Sequence, residues 1–300
     1  MNRKKLVISA LALTAFIAVS AVLTSGHGSG AVSDGDRAEP AEAGLNVSYD
    51  WLELPVVKDT DHDNVYALGM TVDGRRQRNY SFLWNESRLT ADWVAYPLCR
   101  GNIGEGTRSN TFGLCPLLPA KRQPAVQKAY RKGNAGWYSR GHQIPSADRM
   151  SYKANVQTFY GVNMTPQDEN LNGGVWSVLE NKVRAWARRC DTLYVVSGCT
   201  YDGYKGDYVL DNDGKKVAVP TGYYKALLMR NDDTFHACGF TFENRPYKDE
   251  TITKSMAIPL SELEKRTGLV FFPGLKNIIG VKACAAVKSE NPSGQSCWGK

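Results

Sequence analysis

An apolar run, Leu6–Leu23, divides this chain into two parts with different fates. It follows Arg3, Lys4 and Lys5 directly, and its 18 residues carry only Ser9, Thr14 and Ser20 as polar breaks. A basic segment followed by such a run reads as an export signal. The run is also just long enough to span a hydrocarbon core of about 30 Å. Residues 1–23 are therefore expected to be a signal peptide or an N-terminal membrane anchor. Either would leave the rest exported: periplasmic, extracellular or held at the outer face of a membrane. The first cysteine is Cys99, so a lipid attached just after the run is not expected. Residues 24–45 are rich in Gly, Ala, Ser and acids and read as a flexible linker. Residues 46–300 remain as one domain with a sizeable core.

Charge belongs to that domain. The chain has 37 Lys and Arg against 30 Asp and Glu, a net charge of +7, and residues 1–45 hold four of each sign. A mild basic surplus permits a polyanionic partner without requiring one. With 42% hydrophobic and 22% charged residues, wholesale disorder, collagen and coiled coil are excluded. Export would place the seven cysteines in an oxidising compartment. Their odd number leaves at least one free or paired elsewhere. Cys99 with Cys115 and Cys284 with Cys297 are the local pairs that sequence suggests as disulfide bonds. There is no Cys-x-x-Cys and no Cys/His cluster, so a structural zinc site is not expected.

Runs rich in Val, Tyr, Phe and Thr predict strands over Asp92–Leu98, Thr192–Ser197, Lys216–Val219, Tyr223–Met229, Phe235–Phe242 and Lys254–Leu260. Asn212-Asp213-Gly214 reads as a hairpin turn. Ser261–Thr267 followed by Gly268 reads as a short helix with a Ser N-cap. The clearest helix runs to Arg189, with Thr165 as N-cap, Pro166 at its first position, and Leu171, Val175, Trp176, Leu179, Val183 and Trp186 at helical spacing. Gly173-Gly174 weakens it, at about 1 kcal/mol per glycine relative to Ala. Strands and helices mix without strict alternation. That argues for an α+β fold on a mixed or antiparallel sheet with flanking helices.

Four histidines narrow the chemistry. His27 lies in the linker, His62 in a polar segment and His236 in a predicted strand, where a structural role is the default. His142 differs, because it follows Arg140-Gly141. Arg140 offers a bidentate anion contact, Gly141 allows close backbone approach, and neutral imidazole is a general base near neutral pH. On the predicted helix, Asn172, Trp176, Glu180 and Arg184 recur every four residues as one stripe. Glu180 and Arg184 alone would be an ordinary surface ion pair. Asn172 beside two glycines adds an amide oxygen suited to Mg²⁺, and a carboxylate farther along can hold water at such a metal.

These motifs together, Arg140-Gly141-His142-Gln143, Asn163-Met164-Thr165-Pro166-Gln167 and Leu171-Asn172-Gly173-Gly174-Val175-Trp176 with Leu179-Glu180, resemble the DNA/RNA non-specific endonuclease family. The resemblance runs from Asp92 through Val196 and more weakly to Phe272. It implies a ββα-metal (His-Me finger) site and hydrolysis of DNA and RNA with little sequence preference, leaving 5′-phosphate and 3′-hydroxyl ends. By that resemblance His142 would be the general base and Asn172 the one protein ligand of a single Mg²⁺ or Mn²⁺. Glu180 would orient water on the metal, and Arg140 would meet phosphate. Asn163 would organise the site, Arg184 would support the stripe, and Arg108 would match an upstream arginine. Contact with DNA and RNA would run through the phosphate backbone. Ser139 stands where the family has Asp, which implies altered local hydrogen bonding. The alternative is a non-catalytic nucleic-acid-binding surface protein on a degenerate nuclease scaffold. Neither a Gly-x-Ser-x-Gly elbow nor a His-Glu-x-x-His helix points to another hydrolase.

Overall fold

The computed structural model describes residues 44–298 apart from 73, 105, 107, 248–251 and 253–255. The export signal or anchor expected over residues 1–23, and the linker up to residue 43, lie outside the described residues. Gly44–Leu45, the end of the expected linker, already forms β1.

An antiparallel sheet is the centre of the fold. It takes β1, β2 (Val65–Val72), β3 (Arg75–Asn85), β4 (Thr90–Leu98), β7 (Thr192–Thr200), β10 (Gly222–Asn231) and β11 (Thr234–Glu243) in the order β1-β2-β3-β4-β7-β10-β11. Two short antiparallel pairs stand apart, β5 (Ser139–His142) with β6 (Met164–Gln167), and β8 (Tyr208–Leu210) with β9 (Lys216–Ala218). The helices are α1 (Tyr152–Gln157), α2 (Glu169–Leu171), α3 (Ser177–Ala187), α4 (Leu260–Thr267), α5 (Leu275–Ile279) and α6 (Val281–Ser289). The α+β expectation holds.

Side-chain alternation explains why the inner strands are apolar over most of their length. Along β10, Tyr223, Leu227 and Met229 enter one core with Trp176, Leu179 and Val183. Tyr224, Ala226 and Leu228 enter a second core with Leu260, Leu263 and Phe271. Helices cover both faces, so neither face of the inner strands can be polar without compensation.

Several expected elements shift. Thr165 and Pro166 are not the start of the helix. They pair with Gly141 and Arg140 across β5–β6. The cap is Asp168, whose Oδ1 accepts from the backbone N–H of Asn170 at 2.9 Å and Leu171 at 3.1 Å. After α2 the chain makes a π-turn over Asn172–Trp176, with non-helical backbone at Gly174, before α3 begins. The weak Gly-Gly point is thus a real break, and Asn172 is not placed by α-helical spacing alone. Ser261 is not a cap either, since α4 starts at Leu260 after Pro259, while Gly268 closes it with φ 68°. Of the strand expected over Lys254–Leu260, residues 254 and 255 lie outside the described residues, and over the rest Ile258 makes one bridge to Gly239. The turn at Asn212–Gly214 joins β8 to β9, with Gly214 at φ 90°. Strands β2 and β3 had no clear signal, because β3 opens on the polar run Arg75-Arg76-Gln77-Arg78.

The suggested disulfides are absent: Cys99, Cys115, Cys284 and Cys297 are all free thiols. Cys115 is buried in the core beside β3 and β4, and Cys99 instead approaches the Thr192 hydroxyl at 3.5 Å. Cys284 lies in the second core while Cys297 packs against the first, so closeness in sequence does not bring that pair together.

Asp168→Ala removes both cap hydrogen bonds. It should cost about 1 kcal/mol, read as a lower urea midpoint with an unchanged slope.

Candidate active site

The site is built where the β5–β6 pair meets the π-turn and α3. Gly141 in β5 has no room for a side chain. A Cβ there would lie 2.3 Å from Gln167 Oε1 and 2.6 Å from Gln167 Cβ, so glycine lets β6 close on β5. The fully buried Asn163 then locks the end of β5. Its Nδ2 donates to Ile144 O at 3.0 Å and Thr158 O at 2.7 Å, and its Oδ1 accepts from Ile144 N at 2.9 Å. Gln143 N also donates to Asn163 O at 3.0 Å. Every polar atom of the Asn163 amide serves the backbone, so Asn163 organises the site without facing a reactant.

This clamp sets His142 between two aromatic rings. Phe159 lies 5.0 Å and Phe112 6.5 Å from the imidazole, both edge-on. Each ring carries an arginine: Arg140 stacks over Phe112 at 3.5 Å and Arg108 over Phe159 at 4.9 Å. Arg140 Nη1 donates to Val126 O at 2.8 Å and Gln127 O at 3.1 Å. Arg108 donates from Nε to Asn110 Oδ1 at 2.8 Å and from Nη1 to Ser146 Oγ at 2.9 Å. Both guanidiniums thus keep N–H groups in reserve. The His142 Nε2 is buried and has no hydrogen-bond partner.

Burial first, then Arg108 and Arg140, lower the His142 imidazole to about 3. It is therefore neutral near pH 7, the form that accepts a proton. Phe112 and Phe159 had no signal in the sequence, because they reach His142 from loops distant in the chain.

On α3, the surface ion pair between Glu180 and Arg184 does not form. Arg184 Nη1 instead reaches the buried Asp148 Oδ1 at 3.0 Å, and its Nη2 donates to Asn181 Oδ1 at 2.7 Å. Asp148 also accepts from Tyr96 OH at 2.9 Å. Burial is the largest influence on Glu180 and raises its carboxyl. Lys225 and Arg184 oppose that rise and Asp148 adds to it. Arg108 lies within electrostatic reach of both Glu180 and His142, and so links the two halves of the site. Asn172 follows α2, and no hydrogen bond to its side-chain amide is found among the described residues.

The donor set fits a hard divalent cation. Among the described residues, no group of three or more His, Cys, Asp or Glu side chains converges to hold a metal. An unspent amide oxygen at Asn172, with the Glu180 carboxylate two turns farther along the chain, suits an ion that keeps most of its waters.

With this geometry in hand, comparison with known proteins is decisive. The sequence profile of the DNA/RNA non-specific endonuclease family matches residues 61–278. The chain belongs to that family. The match extends past the motif-based resemblance at both ends and takes in β2 and β3. Over 231 residues the chain is 30% identical to the mitochondrial nuclease EXOG of Danio rerio, covering 72% of this chain and 66% of that protein. It is 30% identical over 200 residues to a nuclease of Serratia marcescens, covering 65% and 73% of the two chains. A chain in the crystal structure of the EndoG/EndoGI complex shares the fold at TM-score 0.53, with 22% identity over 69% of this chain and 86% of that one. As a member, the chain carries the nuclease fold, with His142 and Arg140 on its β5–β6 pair and Asn163 in the turn just before β6. No helix among the described residues is long and apolar enough to cross a membrane.

The imidazole also links to stability. In the unfolded chain it would titrate near 6.5, while in the native state it stays neutral down to about 3. As pH falls through that window the unfolded state takes up the proton first, so native stability is lost. Between pH 7 and pH 4, thermal unfolding of the wild-type chain should therefore weaken more than that of His142→Gln.

Proposed function

We propose that this protein is a metal-dependent endonuclease that hydrolyses phosphodiester bonds of DNA and RNA with little sequence preference. The observation that carries this reading is the buried, unpartnered Nε2 of a neutral His142 between two arginines. His142 Nε2 takes a proton from a water that attacks phosphorus in line with the leaving 3′-oxygen. Arg140 and Arg108, each with uncommitted N–H groups, draw in the phosphate and offset the negative charge that builds on it. The Phe112 and Phe159 rings hold the two guanidiniums by cation–π contact and so orient their remaining N–H groups.

Asn172 would hold one Mg²⁺ or Mn²⁺, with Glu180 orienting water in its shell. Bound there, the ion supplies Lewis-acid stabilisation of the phosphoryl oxygens and the leaving group. Cleavage by this route leaves 5′-phosphate and 3′-hydroxyl ends. Contact through phosphates explains why sequence and sugar would matter little. Residues 1–23 would direct export, as a signal or an anchor, consistent with their basic-then-apolar pattern.

The test is degradation of plasmid DNA and of RNA by the purified protein, with Mg²⁺ and with EDTA. Cleavage should need the metal and weaken steeply as salt rises. His142→Ala should fold yet lose activity by about 10²-fold or more, and Asn172→Ala should lose both rate and response to Mg²⁺. Normal cleavage by His142→Ala would remove the base from the mechanism. A folded wild-type protein that binds nucleic acid without cutting it would favour the non-catalytic scaffold.

A further inference from the structure

Lys225 is a charge that the cleavage mechanism above does not use. It lies in the middle of β10, fully buried, on the face that enters the site-side core. Strand alternation puts it between Tyr223 and Leu227, where an apolar residue would be expected. Burying an ammonium is costly unless something nearby compensates it.

Its contacts are few. Nζ donates to Ser197 Oγ at 3.2 Å, directly across the β7–β10 pairing, and sits 4.5 Å from the ring centre of Trp176. Among the described residues it forms no ion pair within 4.0 Å. The opposite charges that act on it are Glu180 first and Asp148 second, with Arg184 working against them.

Trp176, whose ring carries Lys225, lies one turn before Glu180 on the same helical stretch, and Asp148 and Arg184 act on both Glu180 and Lys225, so these four charges form one buried group. Asp148 and Arg184 already contact each other at 3.0 Å, and Tyr96 fills the other oxygen of Asp148. Glu180 and Lys225 are the two left without a contact partner of opposite sign. Arg108 and Tyr96 face Glu180 from other elements, and the unpartnered Trp176 Nε1 lies beside it. Lys225 also joins the other half of the site through Ser197, whose hydroxyl donates to Gln143 Oε1 at 3.1 Å, one residue after His142.

We propose that Lys225 is a positioning residue for phosphodiester cleavage: its buried ammonium balances the Glu180 carboxylate and keeps it ionised and in place beneath the site. The inference rests on the role given to Glu180 above. Burial works to neutralise that carboxyl, and Lys225 is the strongest influence opposing it. A carboxylic acid in place of the carboxylate would lose its hold on water at the metal.

The experiment reads the pH–rate profile of the intact protein from pH 5 to pH 9 in Lys225→Met, a change that replaces the ammonium with an apolar chain of similar length. Such replacements of buried charge often leave stability intact, and a thermal melt checks that. The acidic limb should move to higher pH by about 1 unit or more, the size of effect an adjacent opposite charge has on a carboxyl. Activity should then fall about tenfold at pH 7 and recover toward pH 9. Ser197→Ala, which keeps the ammonium, should leave the limb where it is. In a Glu180→Gln background, Lys225→Met should cost nothing further.

A folded Lys225→Met with the wild-type profile overturns the proposal, provided Glu180→Gln is impaired. If Glu180→Gln itself cleaves normally, the site reading fails instead. Should Lys225→Met not fold, Lys225→Gln is read in the same way. If neither folds, Lys225 is structural and the proposal falls.

Discussion

Coverage of the central sheet on both faces is the constraint on which the rest of this structure depends. Once both faces of the inner strands are closed to water, any charge left there must be paired, hydrogen-bonded or put to use. Asp148 is closed by Arg184 and Tyr96. Arg149 is held by the side chain and carbonyl of Asn79 and by Pro97 O. Lys225 and Glu180 are not closed in that way, and they lie where the fold brings α3 against β7 and β10. Burial and chemistry are thus the same problem in this molecule.

The same desolvation acts in opposite directions on His142 and Glu180. It lowers His142, where two arginines add to the effect, and leaves the ring neutral. It raises Glu180, where Lys225 and Arg184 resist it, so the carboxylate depends on its neighbours to stay charged. One environment therefore leaves a neutral imidazole and a carboxyl whose charge depends on its neighbours. Phe112 and Phe159 pack edge-on against His142 and also carry Arg140 and Arg108.

Much of the site was legible from residue order. Arg140-Gly141-His142 and Asn172 with its two glycines have chemistry that reads directly from residue type. The strands β4, β7, β10 and β11 were legible too, because buried strands are apolar over most of their length. Asp168 was missed as the cap because Thr165-Pro166 imitates a helix start, while pairing with β5 is a non-local event that sequence spacing does not encode. Arg184 looked like the partner of Glu180 because they are four residues apart, yet Asp148 arrives from a different loop and binds it more closely. Cys284 and Cys297 failed as a pair for a related reason, since closeness in sequence says little about which core each residue enters.

By itself, the sequence determined which groups could perform phosphodiester chemistry, because imidazole, amide and guanidinium carry their chemistry in their structure. It also determined the α+β class, through the periodicity of its apolar residues. Only the tertiary structure decided the state of those groups. The neutrality of His142, the position of Arg108 and the burial of Lys225 against Trp176 all depend on desolvation and on neighbours far apart in the chain. Such effects arise only once the layers have packed.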